Sequence, residues 1–116
     1  MGRPRRRAAH GMSDLALLHV TFGTAEEAES VARAVIEERL AACANVMQSC
    51  TSIYRWKGGI ETEIEVPVLF KTGMEQALAL RDRITQLHSY DTPAIELWPA
   101  ATSEAALEWI EESTGD

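Results

Sequence analysis

The chain has 116 residues, 46% of them hydrophobic, which suits one domain with a core of its own. No run approaches the about 20 apolar residues of a membrane span, and no apolar stretch follows the N-terminal arginines as in a secretory signal. Four of the 11 Lys and Arg residues lie within residues 3–7, leaving seven cations against 18 carboxylates, a net charge of −11, which argues against nucleic acid as a partner.

We therefore expect residues 1–13 to be a flexible basic tail and residues 14–116 to form the domain. Its two cysteines, Cys43 and Cys50, are seven residues apart. In an extended strand their Cα atoms would lie roughly 23 Å apart, far beyond the about 7 Å that a disulfide allows. Two free thiols indicate a reducing compartment, and the cytoplasm is the expected location.

The first elements are a buried strand and an amphipathic helix. Residues 15–22, LALLHVTF, are apolar except for His19 and Thr21, and a histidine in such a strand is more often hydrogen-bonded than a ligand. Thr24 and Glu27 have the spacing of a capping box. Apolar residues then recur at helical spacing, which predicts a helix over about residues 25–40.

A long β-hairpin is predicted around Gly58-Gly59, because two-residue turns need positive φ. If these glycines are the two loop residues, paired positions sum to 117 and Tyr54 faces Glu63. Before the hairpin, alternation is poor over residues 48–51, and we expect a bulge there.

The second hairpin strand, residues 60–72, would be about 40 Å long at roughly 3.3 Å per residue. That is long for a domain with an expected radius of gyration of about 13 Å. Period-2 alternation predicts one apolar and one acidic face, formed by Ile60, Ile64, Val66, Val68 and Phe70 and by Glu61, Glu63 and Glu65. An overhanging arm of this kind indicates self-association.

The C-terminal half repeats the helix and strand pattern. Residues 72–75, TGME, predict a second capping box, and an apolar stripe continues the helix to about His88. Residues 94–98 predict a short strand closed by Pro99. Thr102 or Ser103 caps a last helix, whose predicted inward residues are Ala106, Leu107 and Ile110, with Trp109 beside them.

The order β-α-β-β-α-β with an added C-terminal helix predicts an α+β fold of the ferredoxin-like, split βαβ type. Right-handed crossovers place both helices on one face of an antiparallel sheet. The other face stays bare apart from what the last helix covers, and apolar residues there must be buried on another chain. A homo-oligomer follows from this bare face and from the long hairpin.

His88 and its neighbours form the best candidate site, because the sequence has no phosphate loop, CxxC, nucleophile elbow or HExxH motif. His88 ends the predicted second helix, and imidazole is the commonest transition-metal ligand. Tyr90 and Glu96 follow, and Cys43 would add a soft ligand for copper or zinc. The alternative is structural, with His88 capping helix carbonyls, Tyr90 packing and Glu96 paired with a cation.

The hairpin tip is a second candidate, with an aromatic and basic run, Tyr54-Arg55-Trp56-Lys57, beside glutamates. Such clusters are typical interface anchors. They could also stack nucleic-acid bases, but the acidic body favours a protein interface.

Four stretches resemble the CutA family of divalent-cation tolerance proteins. They are ERLAACAN (38–45), SIYRWKG (52–58) followed by Glu61, FKT (70–72) and LHSYDTPAIE (87–96). The resemblance covers about residues 14–112. It implies a ferredoxin-like subunit in a PII-like homotrimer, with copper or another divalent metal bound and no established enzymatic activity. The sequence does not identify a protein partner.

His88, Glu96 and Cys43 remain the expected metal ligands from their residue types, and the resemblance carries over His88 alone. The resemblance also implies a cleft between subunits, bordered by Tyr54, Trp56, Glu61, Lys71 and Tyr90. Val20 and Leu87 stand where copper-binding relatives have a cysteine and a histidine, and Ser89 replaces a proline. Two other functions stay open: a PII-like sensor of a small anionic metabolite, using Arg55, Lys57 and Lys71, and a purely structural trimer.

Overall fold

The structure, a computed structural model, describes residues 14–115. The predicted basic tail, residues 1–13, lies outside this range. The elements in chain order are β1 (Leu15–Phe22), α1 (Ala25–Glu37), β2 (Cys43–Val46), β3 (Cys50–Trp56), β4 (Gly59–Gly73), a 3₁₀ turn (Met74–Gln76), α2 (Ala77–Leu87), β5 (Ile95–Ala100) and α3 (Glu104–Ser113). None of the helices in the described range is long and apolar enough to cross a membrane.

All strand pairs are antiparallel. The sheet order is β2-β4-β1-β5, and β3 pairs with the far half of β4. The predicted bulge before the hairpin is confirmed, since β2 ends at Val46 opposite Val68 and β3 begins at Cys50 opposite Glu65. The chain advances four residues from Val46 to Cys50, while the partner strand β4 covers only three, from Val68 to Glu65. Together, β2 and β3 therefore form one strand that contains one extra residue. The α+β, βαββαβ fold with a C-terminal helix is therefore confirmed.

The core lies between the sheet and two helices. Every second residue of β1, from Ala16 to Phe22, is fully buried, as alternation requires. These side chains pack in one cluster with residues of β4, α1 and α2, among them Val66, Val68, Phe70, Val31, Val35, Leu80 and Ile84.

The intervening residues form the other face of the sheet, which we call the open face. It includes Leu17, His19 and Thr21 of β1, all partly exposed. At one end α3 covers it, where Ile110 packs with Leu15 and Ala42. The remainder of the open face is covered by neither α1 nor α2, because both helices pack on the opposite side.

Two predicted helix caps are confirmed and one is wrong. The Thr24 Oγ1 accepts a hydrogen bond from the Glu27 amide at 3.1 Å, and the Ser103 Oγ accepts one from Ala106 at 3.2 Å. Thr72 does not cap α2, because β4 extends to Gly73 and buries the Thr72 side chain. Its hydroxyl instead donates to the Leu40 carbonyl at 2.7 Å.

The predicted hairpin register is wrong by two residues. The turn is formed by Lys57 and Gly58, which have φ values of 50° and 83°, and Trp56 pairs with Gly59. Positive φ at both central residues defines a type I′ turn, whose backbone twist matches that of the strands. Cys50 consequently lies opposite Glu65 rather than Pro67, its partner in the predicted register.

A two-residue shift leaves every side chain on its predicted face. Val66, Val68 and Phe70 are buried as predicted, but Ile60 and Ile64 lie beyond the helices and are 62% and 63% exposed. Ile53 of β3 shares their face and is 68% exposed. The hairpin gives the chain principal extents of 57 × 26 × 23 Å, which confirms the predicted overhang.

Two predictions near the C-terminus need correction. β5 continues through Pro99 to Ala100, because an edge strand tolerates a residue without an N–H. In α3, Leu107 and Ile110 are buried, but Trp109 is half exposed and Ala106 only partly buried.

Candidate functional site

His88 lies inside the domain rather than in a cleft. It caps the C-terminal end of α2, where its backbone N–H donates to the Ile84 carbonyl at 2.9 Å. Its imidazole is stacked on Phe22, with ring centroids 4.5 Å apart and an interplanar angle of 11°, and the Tyr90 ring lies on it at 4.5 Å. The side chain is fully buried.

Both ring nitrogens of His88 have backbone partners. Nε2 lies 2.8 Å from the Thr21 carbonyl oxygen, and Nδ1 lies 3.1 Å from the Tyr90 amide. A carbonyl only accepts and an amide N–H only donates, so Nε2 carries the proton and Nδ1 the lone pair. With that lone pair bound to Tyr90, the imidazole has no free electron pair for a metal ion.

Glu27 and Ser89 join the start of α1 to the end of α2. The Glu27 carboxylate accepts hydrogen bonds from the Ser89 amide at 2.7 Å and the Ser89 hydroxyl at 3.0 Å. It also lies 3.7 Å from the His88 Nδ1. A proline at position 89 would have neither donor, so this clamp depends on Ser89.

Three alternate residues of β4, Glu61, Glu63 and Glu65, form a row that we call the carboxylate column. The Tyr54 hydroxyl donates to the Glu63 Oε1 at 2.8 Å, and the Tyr90 hydroxyl donates to the Glu65 Oε2 at 2.7 Å. Glu65 is buried by its contacts at the base of the hairpin.

The column changes the acidity of both phenols. The hydrogen bond to Glu63, desolvation and the charges of Glu63, Glu61 and Glu65 together raise the pKa of Tyr54 to about 12. Burial, with the hydrogen bond and charge of Glu65, raises the pKa of Tyr90 even further above its usual value of 10.0. Each phenolate is disfavoured because it would face negative charge.

The five residues predicted to border a cleft lie in two places, the hairpin with its carboxylate column and the open face of the sheet. Tyr54 pairs with Glu61 near the hairpin tip, where Trp56 is 57% exposed and the Lys57 ammonium lies 5.7 Å from its ring centroid. Tyr90 reaches the same column from the base of the hairpin. The fifth, Lys71, lies on the open face, opposite Cys43.

The predicted metal ligands are not brought together within one chain. Cys43 and Glu96 lie on the open face but at opposite edges of the sheet, in β2 and β5, while His88 is buried behind it. Residues 14–115 contain no group of three or more His, Cys, Asp or Glu residues that could hold a metal ion. The donor set of a single chain therefore does not fit a metal. His88 instead has the structural role that the sequence left open, at the C-terminal cap of α2.

One pair was missed by the sequence-based prediction. The His19 Nδ1 lies 2.9 Å from the Glu96 Oε1 on the open face, where the two residues are direct partners in the β1–β5 ladder. The sequence predicted His19 as a hydrogen-bonded residue of an apolar strand, but its partner could be found only from the register of β5.

Known proteins resemble this chain along nearly its whole described length. The family model "CutA1 divalent ion tolerance protein" matches residues 16–113. The divalent-cation tolerance protein CutA of Thermus thermophilus is 39% identical over 97 residues, which cover 83% of this chain and 94% of that protein. Human protein CutA is 38% identical over 96 residues, covering 82% of this chain and 54% of the human protein. Among solved structures, CutA1 from Ehrlichia chaffeensis has a TM-score of 0.85 at 29% identity, covering 90% of this chain and 99% of that chain.

Proposed function

Because this chain belongs to the CutA1 family of divalent ion tolerance proteins, we propose that it contributes to divalent-cation tolerance as a non-enzymatic homotrimer. Copper or another divalent metal would bind at clefts between subunits. The observation that carries the cation preference is the carboxylate column, whose charge helps to raise the pKa of Tyr54 to about 12. The same field attracts divalent cations and repels anions.

Assembly is supported by the sheet edges and the exposed apolar residues. A closed ring of identical subunits joins two different surfaces of each copy, and the two free edges of the sheet are the surfaces proposed here. Cys43 on the β2 edge of one copy would then lie near Glu96 on the β5 edge of another, since these strands end the sheet. Ligands that are far apart in one chain would thereby share one boundary.

A binding role fits the histidines better than a catalytic one. Within residues 14–115, His19 is bonded to Glu96 and His88 to backbone atoms, and neither hydrogen-bonds a cysteine or serine side chain. A nucleophilic mechanism needs such a base beside the nucleophile. The cytoplasm is the proposed compartment, because Cys43 and Cys50 are both free thiols and free thiols are typical of reducing compartments.

An anionic metabolite, the ligand of the PII-like alternative, is less well supported. Arg55 faces Ile60, and Lys57 lies in the turn, whereas Tyr54 and the carboxylate column occupy the opposite face of the hairpin. An anion bound beside Tyr54 would meet three glutamates at the cost of like-charge repulsion.

The test is a calorimetric titration of the native protein with Cu²⁺, together with its mass from light scattering. We expect a trimer that binds one Cu²⁺ per chain, and Cys43→Ser should weaken binding at least tenfold. Cys50→Ser is the matched control, because Cys50 is also a free, partly buried thiol but lies in the hairpin. A monomer, or a trimer stabilised by carboxylates or nucleotides and not by Cu²⁺, would contradict the proposal.

A further inference from the structure

His19 lies in a mixed part of the open face, where apolar residues stand beside charged ones such as Lys71, the ladder partner of Leu17. It lies on β1, an inner strand, directly opposite Leu69 of β4. Leu17, the next residue on this face, pairs with Trp98, which is 41% exposed. The His19 side chain itself is 38% exposed, so its free edge is accessible in the single chain.

Glu96 determines which ring nitrogen of His19 is available. A carboxylate accepts hydrogen bonds, so the Nδ1 that lies 2.9 Å from Oε1 carries a proton. The lone pair of the neutral ring is then on Nε2, which points away from Glu96. Histidines that bind metals almost always donate their second N–H to a carboxylate, a carbonyl or water, which fixes the tautomer and the ring orientation.

We propose that His19 is a metal ligand through Nε2, oriented by Glu96, and that three copies of it hold one divalent ion at the centre of the trimer. The proposal rests on the trimer of the proposed function; it shares Glu96 with the subunit boundary, but its ligand is His19 and its ion lies on the trimer axis. An imidazole set favours zinc, copper or nickel over calcium and magnesium.

Symmetry supplies the ligands that one chain lacks. A single imidazole is a weak site, but threefold rotation presents three identical ones around an axis if the open faces meet there. Three histidines and one water form a known tetrahedral zinc arrangement. Leu17, Leu69 and Trp98 would exclude bulk water from such a site once neighbouring copies cover them, as the apolar surroundings of metal sites commonly do.

His88 offers the contrast within the same chain. Its ring is also oriented by hydrogen bonds, but Nε2 is used by the Thr21 carbonyl and Nδ1 by the Tyr90 amide. Among the histidines of residues 14–115, His19 is therefore the one with a nitrogen left for a ligand.

The first experiment titrates the native trimer with Zn²⁺ by calorimetry. We expect a tight site with a stoichiometry of one Zn²⁺ per three chains. His19→Gln should remove this site, and Glu96→Ala should weaken it about ten- to a hundredfold, as the loss of an orienting partner does. His10→Gln, which removes a tail imidazole, and Glu75→Gln, which removes an exposed carboxylate, should leave it unchanged.

A second measurement needs no substitution in the site. Nitrogen-15 spectra of the histidine rings in the native protein should show the His19 Nε2 resonance shifting on addition of Zn²⁺, while the ring nitrogens of His88 stay unchanged. This readout decides the question even if His19→Gln alters assembly.

The outcomes separate the two proposals. Binding of one ion per chain that depends on Cys43, with no change at the His19 ring, would overturn the central site and leave the proposed function standing. A trimer that binds neither Cu²⁺ nor Zn²⁺ would overturn both.

Discussion

At the scale of single residues, the hydrogen bonds of a side chain decide its role more than its chemical type does. His88 is the kind of residue that suggests a metal ligand, yet two backbone groups occupy its ring. His19 resembles a polar interruption of a core strand, yet its carboxylate partner leaves one nitrogen free. The same principle applies to the tyrosines, whose hydroxyls donate to the carboxylate column.

Tyrosine ionisation is the first prediction. The chain has two tyrosines, and we expect neither to ionise near pH 10, with Tyr54 ionising at about pH 12 and Tyr90 higher. In the unfolded chain both phenols have the ordinary tyrosine pKa and lose their protons at lower pH than in the folded protein. The free energy of unfolding should therefore fall as the pH rises from about 10 towards 12. Tyrosinate absorbance measured against pH checks this, with circular dichroism to verify folding.

Glu63→Gln should lower the pKa of Tyr54, since it removes the accepting carboxylate and its charge. Tyr54→Phe is the control that identifies which absorbance step belongs to this residue. A native protein with a tyrosine ionising at its ordinary pH would contradict the hydrogen bonds to the column.

At the scale of elements, the β3–β4 hairpin shows how turn geometry sets the pairing. A Gly-Gly loop and a Lys-Gly loop both agree with the hydrophobic pattern, because a two-residue shift keeps every side chain on its face. The type I′ turn uses Lys57 and Gly58 at positive φ and leaves Gly59 as the first residue of β4.

The second prediction compares two glycine substitutions. Gly58→Ala should destabilise the hairpin by about 1–2 kcal/mol, because an L-residue resists the left-handed conformation that Gly58 adopts at φ 83°. Gly59→Ala is the matched control, since its Cβ would make only an ordinary contact with the Trp56 carbonyl at 3.9 Å. Amide hydrogen exchange in β3 and β4 measures both effects.

If the two variants lost equal protection in β3 and β4, the turn would have to include both glycines. That result would restore the register in which paired positions sum to 117. Protection lost in Gly58→Ala alone supports the observed turn.

At the scale of the whole molecule, the overhanging hairpin carries three exposed isoleucines on one face, Ile53, Ile60 and Ile64. Together with the apolar residues of the open face, they form exposed apolar surface of the kind that commonly marks protein–protein interfaces. The radius of gyration of 15.7 Å also exceeds the roughly 13 Å expected for about 100 residues. Both features are explained if other copies cover the arm.

The third prediction therefore concerns assembly. Ile64→Glu should shift the proposed trimer towards single chains, because an unpaired charge that the assembly would bury is costly. Leu78→Glu is the matched control, since Leu78 is 59% exposed but lies on α2, outside both apolar surfaces. Light scattering at low protein concentration measures the mass, and a native protein that is already a folded monomer would contradict the assembly.

The sequence by itself determined the order of the elements, the apolar stripe of α1, the cap at Thr24 and a cap at Thr102 or Ser103. These features depend on neighbours within about four residues, where periodicity and capping act. It also carried enough family-specific stretches to identify the family, and those stretches lie in the domain that the comparisons matched.

The tertiary structure alone decided which donors meet. The separation of Cys43, Glu96 and His88, the partnership of His19 with Glu96, and the clamp from Glu27 to Ser89 all join residues distant in the chain. Such contacts depend on strand order and register, and a one-residue change in register exchanges the two faces of a strand. Local patterns therefore predicted the fold of this protein, whereas long-range pairing fixed the chemistry available at its surfaces.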